Sequence, residues 1–107
     1  MWFKEYSITE LNELFGKNMS GFLGIEVIEI REDALVARMP ITDKVKQPYG
    51  LLHGGASVVL AESVGSVATN LIVDPEKYVG VGLEVNANHL RPVLSGEVIA
   101  TCTPLHI

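Results

Sequence analysis

Cysteine is almost absent. Cys102 is the only one in the chain, so no internal disulfide can form. That usage fits a reducing compartment rather than a stapled secreted domain. Basic residues are also few, 8 against 13 acidic, for a net charge of −5. A chain of that sign does not suit the phosphate backbone of nucleic acid. Met1 to Ile8 lack the basic stretch and apolar run of a signal peptide. There is no phosphate-binding glycine loop, dinucleotide fingerprint, zinc-protease helix, Cys-x-x-Cys pair or Gly-x-Ser-x-Gly elbow. The three histidines lie too far apart for a metal spacing, so no metal is expected. These absences lead to the expectation of a soluble cytoplasmic domain.

What is present is a core-forming chain. Apolar residues make up 48% and charged residues 20%, a balance that argues against intrinsic disorder. The length of 107 residues suits one domain. Gly54 to Val73 forms a run of 20 residues whose one ionisable side chain is Glu62. Its length would cross a bilayer. Its Gly, Ala, Ser, Thr and Asn content, without aromatic anchors or flanking basic residues, argues against that. No membrane partner is expected. The better reading is a helix buried nearly all round, with a sheet wrapped about it.

Ser7 and Glu10 have the spacing of a capping box. The helix they start presents Ile8, Leu11, Leu14 and Phe15 on one face and ends at Gly16. The loop from Lys17 to Gly24 carries Phe22 and Leu23 as expected core plugs. Ile25–Arg31 and Ala34–Met39 read as strands joined at Glu32-Asp33, with Pro40 stopping the second. After the long helix, Tyr78–Arg91 and Gly96–Thr103 read as two more strands. The order α, β, β, long α, β, β implies an α+β fold, one antiparallel sheet with a helix laid along it.

Chemistry concentrates at the start of the long helix. His53, Gly54 and Gly55 stand where backbone N–H groups lack intrahelical partners and the dipole favours negative charge. Such a start suits an oxyanion hole, although a glycine-rich loop that merely turns into a helix reads the same way. Glu62 tips the balance toward function. It shares a face with Gly55, Gly65, Ser66 and Thr69, the small and polar side of the helix. Gly54 and Glu62 are separated by about 12 Å along the axis, too far for one helix to bring both to one reacting group. A site shared between two subunits solves that. Further on, His89 and Arg91 would point to one strand face about 7 Å apart, a spacing suited to phosphates or equally to a solvated strand end.

Three segments in order, Gln47 to Gly55 (QPYGLLHGG), Leu60 to Ser66 (LAESVGS) and Asn86 to Pro92 (NANHLRP), resemble the PaaI-type hotdog-fold acyl-CoA thioesterases. The nearest likeness is to the branch acting on 4-hydroxybenzoyl-CoA and 1,4-dihydroxy-2-naphthoyl-CoA. The resemblance implies a sheet wrapped around the long helix and a homodimer with shared active sites, paired into a homotetramer. It implies hydrolysis of aryl or medium-sized acyl-CoA to the free acid and CoA, with no cofactor. The Gly54 N–H would polarise the thioester carbonyl, and Gln47 and His53 would flank it. Glu62 of the partner subunit would be nucleophile or general base, and Ser66 would position water or the acyl group. His89 and Arg91 would lie near the CoA moiety. A non-catalytic acyl-CoA binding module and a hydratase are the competing readings on the same fold. Members of the resembled family continue for a few tens of residues past the equivalent of Thr103, adding two strands. Residues 1–107 are therefore expected to be one hotdog domain lacking its C-terminal strands.

Overall fold

The computed structural model describes residues 1–73 and 96–104. The predicted strand Tyr78–Arg91 lies outside those residues, as do His89 and Arg91.

Helix α1 (Ile8–Phe15) begins as its capping box dictates. Ser7 Oγ accepts the Glu10 N–H at 3.1 Å, and Glu10 Oε1 accepts the Ser7 N–H at 2.8 Å. Gly16 closes the helix without entering the left-handed region (φ −71°). Leu11 and Phe15 are buried, whereas Ile8 and Leu14 are each more than 40% exposed, so only half of the expected face enters the core. The loop after α1 contains a second short helix, α2 (Asn18–Phe22). Phe22 is no core plug. Its ring is 63% exposed, and Lys44 Nζ lies 4.4 Å from the ring centroid while donating to the Phe22 carbonyl.

Strands β1 (Glu26–Ile30), β2 (Leu35–Pro40) and β3 (Glu97–Cys102) form an antiparallel sheet in the order β1-β2-β3. Pro40 occupies the last position of β2, opposite Glu97. The missing N–H costs nothing there, because a strand terminus does not need it. Val27, Leu35, Ala37, Met39, Val98, Ala100 and Cys102 point to one side of the sheet and are buried. On the other side Arg38 bridges Glu26 on β1 and Glu97 on β3.

The long helix α3 (Gly54–Ile72) lies on the apolar side of β2 and β3. Ala56, Leu60, Val64, Ala68 and Leu71 recur at three- and four-residue intervals and form its buried stripe. Ala37 and Ala100, both fully buried, let the helix come close to the strands. Alpha-helical length and composition alone would allow α3 to span a bilayer. Its stripe is instead seated on the sheet. The expectation of burial nearly all round is corrected: seven of its nineteen residues are buried, and Val58 is 66% exposed.

Candidate active site

The segment before α3 folds back on itself. Lys46 and Leu52 form an antiparallel bridge, the Gln47 N–H donates to the Leu51 carbonyl at 2.7 Å, and the His53 N–H donates to Val45 at 2.8 Å. Gly50 turns the chain at φ +88°, a conformation that favours glycine. Gln47 is half-buried, and its Oε1 accepts the Tyr49 N–H inside this turn. The turn thus carries Gln47 and His53 on paired segments at the mouth of α3.

His53 is the residue that caps α3. Its Nδ1 accepts the Gly55 N–H at 2.8 Å, so the neutral ring carries its proton on Nε2. The Ala56 N–H donates to the His53 carbonyl at 3.0 Å. Of the first three amides of the helix, that of Gly54 alone has no acceptor among the described residues. Glycine at 55 has a steric reason, since a Cβ there would stand 2.9 Å from the His53 ring. Glycine at 54 has none of that kind: a Cβ would meet nothing within 4 Å, and its φ is not left-handed. An open Cα beside an unpaired amide at a helix start is a place where a carbonyl oxygen can approach the backbone.

Glu62 projects from the middle of α3 and is exposed, not buried as its apolar neighbourhood suggested. At about 100° per residue it stands roughly opposite Leu60, Val64 and Leu71. Val58 lies on the same open side, so Glu62 sits in a strip of helix that the described sheet does not cover. Gly54 and Glu62 belong to one unbroken helix, which holds them about 12 Å apart along its axis. The chain therefore presents a donor and a carboxylate but does not bring them together.

Ser66, one turn beyond Glu62, opens into a cleft of about 400 Å³. Ser63, Ser66 and Val67 form one wall, and Leu14, Phe15 and Ser20 form the other. Of these, Ser63 and Ser66 fall in the LAESVGS segment, and only Ser66 is expected to have a role in the site. Leu14 and Phe15 share the apolar face of α1, and nothing in periodicity separates a leucine that enters the core from one that lines a cleft. No group of His, Cys, Asp and Glu capable of holding a metal occurs among the described residues.

Residues 49–107 match the model of the thioesterase superfamily. Over all 107 residues the chain is 50% identical to 1,4-dihydroxy-2-naphthoyl-CoA hydrolase of Escherichia coli, spanning 78% of that protein. The fold superimposes with a TM-score of 0.90 on thioesterase PA1618 of Pseudomonas aeruginosa, crystallised with a glutamine-to-alanine substitution. That similarity has 45% identity and covers 99% of this chain and 76% of the other. Thioesterase HI1161 of Haemophilus influenzae gives a TM-score of 0.88 at 45% identity, covering 99% and 73%. The chain belongs to the thioesterase superfamily, on the hotdog fold. It is an enzyme of that class, a thioester hydrolase.

Proposed function

We propose that the protein hydrolyses acyl-CoA thioesters carrying aryl or medium-sized acyl groups, in a site completed by a second copy of the chain. The observation that carries this reading is the Gly54 amide, unpaired among the described residues and sterically open, on the helix that presents Glu62 on its uncovered side. The 50% identity to a hydroxynaphthoyl-CoA hydrolase supports the substrate class.

In this mechanism the thioester carbonyl oxygen lies against the Gly54 N–H. Charge develops on that oxygen as the tetrahedral intermediate forms, so the amide stabilises the transition state more than the ground state. The His53 Nε2–H and the Gln47 amide flank the thioester and orient it. Glu62 of the second copy either takes a proton from the attacking water or attacks the carbonyl itself. In both routes the C–S bond breaks, CoA leaves as the thiol, and water supplies the acid's new oxygen and the thiol's proton. Ser66 holds the water or the acyl group beside Glu62. His89 and Arg91 are assigned to the CoA moiety, where N–H donors and a guanidinium suit its phosphates. The chemistry calls for no cofactor.

Steady-state hydrolysis of benzoyl-CoA, a hydroxynaphthoyl-CoA and fatty acyl-CoA tests the proposal. Glu62→Gln is expected to lower kcat about 10²–10⁴-fold, the range for a positioned base. Wild-type turnover by Glu62→Gln would remove the role given to Glu62. Tight acyl-CoA binding by the unmodified protein without any turnover would instead make it a binding module.

A further inference from the structure

Gly54 and Glu62 act on the carbonyl, and neither touches the rest of the acyl group. The cleft beside Ser66 is placed to take it. Ser66 is four residues past Glu62, so it stands about 6 Å along the helix and about 40° round it. The space it opens is about 400 Å³, within the usual range of small-molecule sites.

The far wall of that cleft is braced by backbone contacts. Ser20 Oγ donates to the Phe15 carbonyl at 2.8 Å and lies 3.1 Å from that of Lys17. The Gly21 N–H donates to the Lys17 carbonyl at 3.2 Å, and the Ile25 N–H ties the far end of α2 to the Ser20 carbonyl at 3.0 Å. A Cβ on Gly21 would stand 2.1 Å from the Gly16 carbonyl oxygen, so α2 rests directly on the end of α1. Phe15 is fixed in the core at 2% exposure, while Leu14 beside it is 46% exposed. A backbone-braced wall with an exposed leucine on it can measure a ligand, because it does not yield to a larger one.

We infer that Leu14 is a specificity-determining residue that sets the size of the acyl group, which lies in the cleft between Leu14 and Phe15 on one side and Ser63, Ser66 and Val67 on the other. The inference rests on the role proposed for Glu62, which places the carbonyl at the mouth of this cleft.

The test uses Leu14→Trp, Leu14→Ala and, as a control, Ile8→Trp at another exposed position of α1 outside the cleft. For each, kcat/KM is measured on acetyl-, benzoyl- and hydroxynaphthoyl-CoA, with molecular mass in solution followed in parallel. Leu14→Trp is expected to lower the ratio of hydroxynaphthoyl-CoA to acetyl-CoA by at least about tenfold, the scale on which apolar pockets discriminate size. Leu14→Ala is expected to raise that ratio, and Ile8→Trp to leave it unchanged. A ratio unaltered by both Leu14 variants overturns the inference, whatever their absolute activity. A change in assembly mass with an unaltered ratio also overturns it, by giving the cleft to a second copy of the chain. Glu62→Gln, assayed alongside, separates this outcome from failure of the proposed chemistry: an inactive Glu62→Gln with an unchanged Leu14 ratio rejects the wall alone.

Discussion

His53 and Gly55 define each other: the His53 ring accepts the Gly55 N–H at 2.8 Å and fills the space that a Cβ on residue 55 would need. One histidine thus caps α3 and turns Nε2 away from the helix. The two tasks are separable by substitution. Asparagine is a good N-cap, so His53→Asn is expected to keep unfolding free energy within about 0.5 kcal/mol, whereas His53→Ala loses about 1 kcal/mol. Both lose the Nε2–H, and both are expected to lose activity equally. Urea titration beside steady-state kinetics reads the two effects apart. Full activity in His53→Asn would reduce His53 to a cap.

A second pairing protects the edge of the sheet. Asn12 on α1 accepts the Val27 N–H through Oδ1 at 2.7 Å and donates through Nδ2 to the Val27 carbonyl at 3.1 Å. Among the described residues β1 is the edge of the sheet, and the Asn12 amide takes the place of a neighbouring strand where the register shifts between Val27 and Glu29. Asn12→Ala leaves both backbone groups of Val27 without that partner, and the expected loss is about 1–3 kcal/mol. An exposed edge also invites pairing with another chain, so increased light scattering on heating should accompany the loss. A change below about 0.5 kcal/mol would mean that water serves Val27 as well as Asn12 does.

Much of this was legible in the sequence because each signal was local. Ser7 with Glu10 announces a cap, and the run from Gly54 to Val73, apolar but for Glu62, announces the long helix. Asp33 beside Glu32 marks the hairpin, which the Arg31 N–H closes on the Ala34 carbonyl at 2.8 Å. The errors share a different cause. The apolar run around Glu62 predicts a buried setting, whereas its side is open. Periodicity assigns faces to a helix but does not say which faces the same chain covers. Phe22, an aromatic residue in a short loop, likewise reads as a core residue and is exposed. Nothing local announces that α2 packs through the backbone of Gly21 rather than through its aromatic ring. The grouping of Leu14 with Ser66 is a long-range contact, and no spacing rule reaches that far.

Cys102 illustrates burial controlling reactivity. The thiol is 1% exposed on the inner side of β3, and desolvation pushes its pKa above the ordinary 9.0. A neutral buried thiol is a poor nucleophile. Labelling by a thiol reagent at pH 8 is therefore expected to follow global unfolding, not surface access. The sign for stability follows from the same shift. Well below pH 9 the thiol is protonated in both states and costs nothing. Above it the unfolded chain releases the proton first, so stability falls as pH rises. Cys102→Ala should flatten that alkaline slope. Rapid labelling of the native protein would show that β3 opens locally.

The shared site can be tested by removing one atom from the backbone. Gly54 is the first residue of α3, where proline is well tolerated, and His53 before it has the extended ψ of 128° that proline requires. The Gly54 amide has no acceptor to lose among the described residues, and a Cβ there meets nothing within 4 Å. Gly54→Pro is thus expected to leave the melting temperature nearly unchanged while deleting the proposed oxyanion donor. Loss of such a donor costs about 10²–10³ in kcat. The decisive measurement mixes two defects. If the donor comes from one subunit and the carboxylate from the other, a dimer of one Gly54→Pro chain and one Glu62→Gln chain holds one intact site. Random pairing should then restore about a quarter of wild-type activity from two inactive proteins. If each chain builds its own site, the mixture stays as inactive as its parts. The 12 Å separation along α3, about eight residues of rise, favours restoration.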